Sequence, residues 1–186
     1  MVENYQEPLI IQKKSIEQFD KDNLKIRSVG FIGQLNLRLS NPDFNLFSKY
    51  FNINIPKKIN TFTSVNNVQL LFLGPDEFLL ICPVDSRSKI IEKIKNIPFN
   101  YSFDITDVSF NRVVIEISGK KCDELILSIA SIPKNSFIAG SCIQSQMANT
   151  QVIMMCLDDN YKYKILVRSS FSEYFSDVLI DQADFI

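Results

Sequence analysis

Val68-Gln69-Leu70-Leu71-Phe72-Leu73-Gly74-Pro75-Asp76-Glu77-Phe78-Leu79-Leu80-Ile81-Cys82 reads as a β-hairpin. Two short apolar runs flank Gly74-Pro75-Asp76-Glu77, whose residue types supply the backbone angles of a tight turn. Upstream, Gln34-Leu35-Asn36-Leu37-Arg38-Leu39 alternates strictly, a strand with its leucines on one face. Ser40-Asn41-Pro42-Asp43 then supplies a polar N-cap, a first-turn proline and an early acid for a helix carrying Phe44, Phe47 and Phe51. Downstream of the hairpin, Asp85 and Ser86 are placed to cap a helix with the stripe Ile90, Ile91 and Ile94, and Tyr101 to Ile105 is a further strand.

The second half repeats this order. Val113 to Ile117 is a strand. Ser118-Gly119 opens a helix carrying Leu125, Ile126 and Ile129 that stops before Pro133. Val152 to Leu157, the turn Asp158-Asp159-Asn160, and Tyr161 to Val167 form a second hairpin. Ser170 and Glu173 have the spacing of a capping box for a last helix with Phe171, Tyr174, Phe175, Val178 and Leu179. Pro56 and Pro133, which close the corresponding helices, lie 77 residues apart. The pattern predicts an α+β fold: a duplicated strand–helix–hairpin–helix unit with mostly antiparallel sheet. Residues 1–24 read as an N-terminal arm. Residues 25–186 form a single duplicated domain, with halves at about 25–106 and 107–186. The chain's 186 residues, 46% of them hydrophobic, suit one such domain.

Composition excludes several functions. The formal net charge is −1, so no broad field favours nucleic acid or an anionic membrane. Histidine is absent, which removes Ser–His and Cys–His nucleophiles and imidazole-ligated metals. Cys82, Cys122, Cys142 and Cys156 contain no C-x-x-C pair and read as buried thiols. The start of the chain lacks a signal-type apolar segment, and no run reaches the ~20 residues of a spanning helix. The expected location is the cytoplasm. No G-x-G-x-x-G or Walker loop follows a strand.

Three clusters are candidates for chemistry. Asp76 and Glu77 form either a catalytic carboxylate pair, which needs burial and opposed pKa values, or an ordinary turn, the favoured reading. Asp104, Asp107 and Arg112 surround the central connection, where they suit a small anionic ligand or, preferably, an ion pair holding the halves together. Ser141-Cys142 with Gln144 and Gln146 has no neighbouring base to activate the thiol. Lys57-Lys58 and Lys120-Lys121 are too few for a nucleic-acid footprint. No residue is singled out as catalytic, cofactor-binding or metal-ligating. The 15 Phe exceed the evident needs of a core, and such a surplus suits a permanent interface.

Five stretches carry a family resemblance. Leu73-Gly74-Pro75-Asp76-Glu77-Phe78-Leu79-Leu80 resembles the L-G-P-D-E-W-L-L hairpin of the gamma subunits of heterotetrameric sarcosine oxidase. Asp107-Val108-Ser109-Phe110-Asn111-Arg112, followed by Ile115-Glu116-Ile117-Ser118-Gly119, is similar to D-V-S-x-x-R…L-x-L-S-G. Gly140-Ser141-Cys142-Ile143-Gln144-Ser145, Leu166-Val167-Arg168-Ser169-Ser170-Phe171 and Gly33-Gln34-Leu35-Asn36-Leu37-Arg38 resemble G-S-C-A-Q-T, L-V-R-R-S-F and G-Q-I-N-L-R. Two positions depart: Phe78 stands where Trp is usual, and Ser169 where the family has a second Arg. The resemblance implies a non-catalytic structural subunit with alpha, beta and delta partners. The complex would demethylate sarcosine to glycine with O₂, forming hydrogen peroxide and, with tetrahydrofolate, 5,10-methylenetetrahydrofolate. FAD, FMN, NAD and zinc would sit on the other subunits, with none in this chain. The implied fold is that of the folate-binding domain of aminomethyltransferases. The alternatives are a stand-alone folate-binding or aminomethyltransferase-like protein, whose relatives carry a further C-terminal domain, and a small independent enzyme without histidine. Together with the aromatic-rich C-terminal helix, which carries Phe171, Tyr174 and Phe175, the resemblance implies docking onto a flavin-bearing partner through an extensive, partly apolar surface.

Overall fold

Leu35, Leu37 and Leu39 are buried to 1% exposure or less, as their alternation requires, and the strand that carries them organises one of two sheets. The computed structural model describes residues 19–21, 23–29, 32–40, 44–98, 102–132, 137–159 and 161–186. Their elements run β1 (Phe19–Lys21), β2 (Leu24–Ser28), β3 (Ile32–Leu39), α1 (Phe44–Phe51), β4 (Thr61–Val65), β5 (Val68–Gly74), β6 (Glu77–Pro83), α2 (Arg87–Lys95), β7 (Phe103–Asp107), β8 (Arg112–Ser118), α3 (Cys122–Ile129), β9 (Cys142–Met147), β10 (Thr150–Asp158), β11 (Lys162–Arg168) and α4 (Ser172–Phe185). The architecture is α+β with mostly antiparallel sheets.

The chain divides into two compact units. One unit comprises residues 32–110 with 140–143 and holds the sheet β4-β5-β6-β3-β7. Its core joins the β3 leucines to Leu70, Phe72, Phe78 and Leu80 of the hairpin, Phe47 of α1 and Ile94 of α2. Phe72 and Phe78 stack across the hairpin with ring centroids 4.5 Å apart. Phe78, which departs from the Trp of the resembled hairpin, is thus a core residue packed on an aromatic neighbour.

The other unit holds the sheet β1-β2-β8-β11-β10-β9. Leu24, Ile26, Ile115, Ile117, Ile165 and Met154 are buried in its strands, Leu125 and Ile126 in α3, and Phe175, Leu179 and Ala183 in α4. Helices α3 and α4 touch each other, and α4 touches β11.

The two sheets share one strand order. β4-β5-β6-β3-β7 corresponds to β9-β10-β11-β8-β2, with β1 added at the edge. β2 directly precedes β3 in sequence but pairs with β8, and β7 directly precedes β8 but pairs with β3. The chain crosses between units at 110/111, close to the boundary expected near residue 106, but residues 25–29, with β2, belong with strands from the second half, and 140–143 belong with the first. Part of the expected arm, residues 19–21 and 24, belongs to a sheet. Phe19–Lys21 forms β1 against β2, and Leu24 opens β2 with its side chain buried. Residues 1–18 lie outside the described residues, as do Asn41, Pro42 and Asp43 of the expected cap, Tyr101, Pro133, Asn160 and the side chain of Phe44.

Two further corrections concern β4 and β9, edge strands that local patterning misses. Asn66 and Asn67, and Ala148 and Asn149, all have positive φ and make the two-residue turns into β5 and β10. Turns of this hand match the twist of the flanking strands. The helix caps also differ from expectation. α2 and α4 are entered through 3₁₀ turns, Val84–Ser86 and Ser169–Phe171, so Ser170 precedes the cap position, which Phe171 occupies. Ser86 stands at the N-cap of α2 without a capping side-chain bond.

Two substitutions test this backbone. Ala148 has φ 46° and its N–H donates to the Ile129 carbonyl at 2.8 Å. A left-handed alanine costs about 1–2 kcal/mol. Ala148→Gly should raise stability by about 1 kcal/mol after the glycine's extra unfolded-state freedom is counted. Gly119 has φ +117°, and a Cβ there would fall 1.9 Å from the Asn23 carbonyl oxygen. Gly119→Ala should cost about 3 kcal/mol or more. Urea unfolding of the two variants, with opposite midpoint shifts, checks both.

Candidate functional site

The residues with chemical potential in the first unit converge on β3. Arg38 donates from Nη1 to Asp76 Oδ1 at 3.1 Å and pairs through Nη2 with Glu77 Oε2 at 3.2 Å. Asn36 Nδ2 donates to Glu77 Oε1 at 3.0 Å, and the Leu39 N–H donates to the Asp76 carbonyl at 2.9 Å. The acids of the hairpin turn are thus held against β3 by side chains two residues apart on one strand face. A guanidinium bridging both carboxylates serves to fix the turn. It leaves no acid beside a base poised for proton transfer.

Asp107 makes a second clasp. Its Oδ1 accepts from the Ser109 N–H at 3.0 Å and from Ser109 Oγ at 2.5 Å, and Arg87 Nε lies 3.4 Å from Oδ2. Ser109 Oγ in turn accepts from the Gln34 N–H at 3.0 Å, and the Val108 N–H donates to the Gln34 carbonyl at 2.8 Å. Arg87 also lies over the Phe110 ring, 5.4 Å from its centroid. Asp104 is directly opposite Arg38 on β7, and its Oδ2 accepts from Thr106 Oγ1. Arg112 belongs to the other unit, where it opens β8 opposite Arg168 of β11. Asp104 and Asp107 thus belong to one unit and Arg112 to the other.

Gly140–Ile143 seals the β4 side of the first unit. The Phe62 N–H donates to the Gly140 carbonyl, the Cys142 N–H to the Asn60 carbonyl, and Ser141 bridges Thr61. Cys142 is fully buried, and burial pushes its thiol up to about 12, opposed by a hydrogen bond with the Phe72 backbone. Burial likewise pushes Cys122 up to about 12 and Cys82 and Cys156 up to about 11. All four cysteines are free and buried, as the apolar runs around Cys82 and Cys156 suggest. A thiol held this high is protonated at neutral pH and is no nucleophile.

The second unit contains one charged row that sequence reading missed. Arg27, Glu116 and Lys164 lie side by side across β2, β8 and β11. Arg27 donates to Glu116 Oε2 from Nε at 2.9 Å and also from Nη2, while Lys164 Nζ lies 3.8 Å from Oε1. Burial lowers the Lys164 ammonium pKa, and Glu116 opposes that shift. The signal was present as a charge alternating with buried Ile115 and Ile117, but its partners are 48 or more residues away. On the opposite face, Tyr163 Oη donates to Asp123 Oδ1 at 2.8 Å. Burial first, then this bond, raises the phenol above its ordinary value. The pair walls an apolar dimple of about 20 Å³ lined also by Ile126, Phe137 and Met154. That is room for about one water and too little for a cofactor. Among the described residues, no three His, Cys, Asp or Glu side chains gather as a metal site, and no helix is long and apolar enough to cross a membrane.

The family model described as "Sarcosine oxidase, gamma subunit family" matches residues 42–184. The chain belongs to the sarcosine oxidase gamma subunit family. It is 26% identical over 165 residues to sarcosine oxidase subunit gamma of Corynebacterium sp. strain P-1, covering 85% of this chain and 79% of the relative. It is 24% identical over 161 residues to the strain U-96 protein, covering 84% and 77%. Among solved structures it resembles a chain of heterotetrameric sarcosine oxidase from Corynebacterium sp. U-96 in complex with pyrrole 2-carboxylate. The TM-score is 0.83 at 22% identity over 96% of this chain and 94% of the other. It also resembles glycine cleavage system aminomethyltransferase T from Bartonella henselae, with TM-score 0.66 at 10% identity over 86% of this chain and 46% of that one. These two likenesses show the fold, an α+β arrangement related to that of the aminomethyltransferases.

The thiols provide a test of this geometry. Their unfolded-state pKa is near 9, and the folded values lie above it, so folding holds protons that the unfolded chain releases. The thiol contribution is intact below pH 9 and is lost as pH rises through about 11 to 12. Lys164, shifted the other way, offsets part of that loss. The urea midpoint should fall between pH 8.5 and 10.5 by more in the native sequence than in a variant with all four cysteines replaced by serine or alanine. At pH 8, Ellman's reagent should react slowly with the folded protein and with all four thiols in denaturant.

Proposed function

We propose that this chain is a non-catalytic structural subunit of a heterotetrameric sarcosine oxidase, assembled with alpha, beta and delta subunits in the cytoplasm. The complex carries out the oxidative demethylation of sarcosine to glycine, reducing O₂ to hydrogen peroxide. With tetrahydrofolate, the methyl carbon leaves as 5,10-methylenetetrahydrofolate. FAD, FMN, NAD and zinc are held by the other subunits, and this chain binds none of them.

The observation that carries this reading is how the family's conspicuous residues are used. Gln34 meets Ser109, Arg38 meets Asp76 and Glu77, and the Asn111 carbonyl accepts from the Ser169 N–H. Each links one quoted motif to another. The Ser109 hydroxyl and the Arg38 guanidinium hold the fold, as does the backbone bond at Ser169, whereas an active site would aim its side chains at a shared cavity. The chain also has no histidine, and its thiols are buried.

Expression of the other three subunits with and without this chain tests the reading. Omission should lower the yield of assembled oxidase, while sarcosine-dependent peroxide production per bound flavin in any surviving complex should stay unchanged. Normal assembly with poor turnover would sink the structural role and call for a catalytic or channelling one.

A further inference from the structure

Where β8 begins and β11 ends, two arginines face each other. Arg112 is the register partner of Arg168, so both side chains leave the same face of the sheet. The adjacent pair, Asn111 and Ser169, carries the ladder bond, with the Ser169 N–H donating to the Asn111 carbonyl at 3.0 Å. Arg112 and Arg168 are therefore a non-hydrogen-bonded pair, the kind whose Cα atoms lie only about 4.5 Å apart. Like charges placed directly opposite each other destabilise a sheet. Four residues along the same strands, and on the same face, Glu116 lies opposite Lys164, and that pair is of opposite sign.

Arg112 is half-buried and has other interactions within the chain. Arg168 is exposed, and among the described residues its side chain makes no hydrogen bond or ion pair. Glu173, in the first turn of α4, is engaged with other groups. The chain leaves Arg168 through the 3₁₀ turn Ser169–Phe171, and Phe171 is 47% exposed. Tyr174, in the first turn of α4, is also 47% exposed, whereas Phe175 beside it is in the core. An exposed guanidinium is thus followed within six residues by two exposed aromatic rings. Arginine and aromatic residues are the types enriched where proteins meet.

We propose that Arg168, with Arg112 opposite it and exposed Phe171 and Tyr174 alongside, receives an Asp or Glu side chain of a partner subunit. The inference rests on the subunit reading above and names a contact that performs it. A carboxylate at this place relieves the like-charge pair and takes a bidentate hydrogen bond from the Arg168 fork. A free small oxyanion would answer the charge and leave both rings in water. A nucleic acid needs a track of bases, and the next charged row on this face, Arg27–Glu116–Lys164, carries its own acid. A second copy docked on this face about a two-fold axis brings arginine to arginine.

The test co-expresses the full chain with the other three subunits, one of them tagged, and measures how much of this chain is recovered. Arg168→Gln should reduce recovery by about tenfold or more, as removing one partner of an interfacial charge pair does. Arg168→Glu should reduce it further. Arg168→Lys keeps the charge and loses the planar fork, so its recovery should fall between those of the native chain and Arg168→Gln. The purified Arg168→Gln chain should melt no lower than the native one, because a like-charge pair has been removed. A lower melting temperature would mean that Arg168 holds the fold, and it overturns the contact. Recovery of Arg168→Gln and Arg168→Glu at the native level also overturns it, while leaving the subunit reading standing. Failure of the native chain to be recovered overturns both. Acetate, compared with chloride at equal ionic strength, probes for a free anion. If it raises the melting temperature of the native chain and not of Arg168→Gln, and the variant is recovered normally, the site belongs to a small carboxylate and the partner is overturned.

Discussion

Two backbone hydrogen bonds in equivalent places set the course of the chain. The Val29 N–H donates to the Val114 carbonyl at 3.0 Å where β2 leaves β8, and the Val108 N–H donates to the Gln34 carbonyl at 2.8 Å where β7 leaves β3. Each marks a strand that pairs with the long strand of the other half of the sequence, just before the chain enters its own. β3 and β8 are central strands, and a central strand needs partners on both sides. β6 and β11 supply one side from nearby sequence, and the exchanged strands supply the other. The sheet containing β8 is complete only when residues near 25 have found residues near 117. Such distant pairing slows folding relative to local hairpins.

The charged row Arg27–Glu116–Lys164 is built on that long-range pairing. Glu116 is 7% exposed in the middle of an otherwise apolar strand, so it depends on Arg27 arriving with β2. A buried acid without its cation costs more than an apolar residue at the same place, which penalises any register of β2 other than the native one. The Asp107–Ser109–Gln34 clasp has the corresponding position at the exit of β7. One exchanged strand is fixed by an ion pair and the other by a hydrogen-bonded turn. In both cases, polar residues specify which distant segment is the right neighbour.

This division explains what was legible in the sequence. The hairpin at 68–82, the leucines of β3, the stripe of α2 and the apolar run of β11 are local patterns of period two or 3.6, and they stand in the structure as read. β4 and β9 were illegible because edge strands rich in Thr, Ser and Gln lack a strong apolar alternation. The one signal for β4 was Asn66-Asn67, a pair that tolerates positive φ and so marks a two-residue turn. Ala148 gives no such sign. The strand exchange was illegible for a different reason: pairing partners are not encoded in the spacing of either strand alone. Among the candidate groups, the turn role of Asp76 and Glu77 followed from Gly74-Pro75, whereas the Arg38 clasp depends on a strand pairing 38 residues away.

The aromatic residues of α4 show the same limit in one helix. Phe171, Tyr174, Phe175, Val178 and Leu179 all fit helical spacing, and they divide between a core stripe and an outer stripe only when the helix is docked on β11. The core stripe is identical in kind to that of α3, and it satisfies the sheet by itself. Phe171 and Tyr174 of the outer stripe stay about half exposed, and Asp181 and Asp184 near the C-terminal end of the helix oppose its dipole. A sequence shaped only for its own stability would place polar or basic residues there. Anything that binds the folded chain and not the unfolded one would stabilise it by mass action.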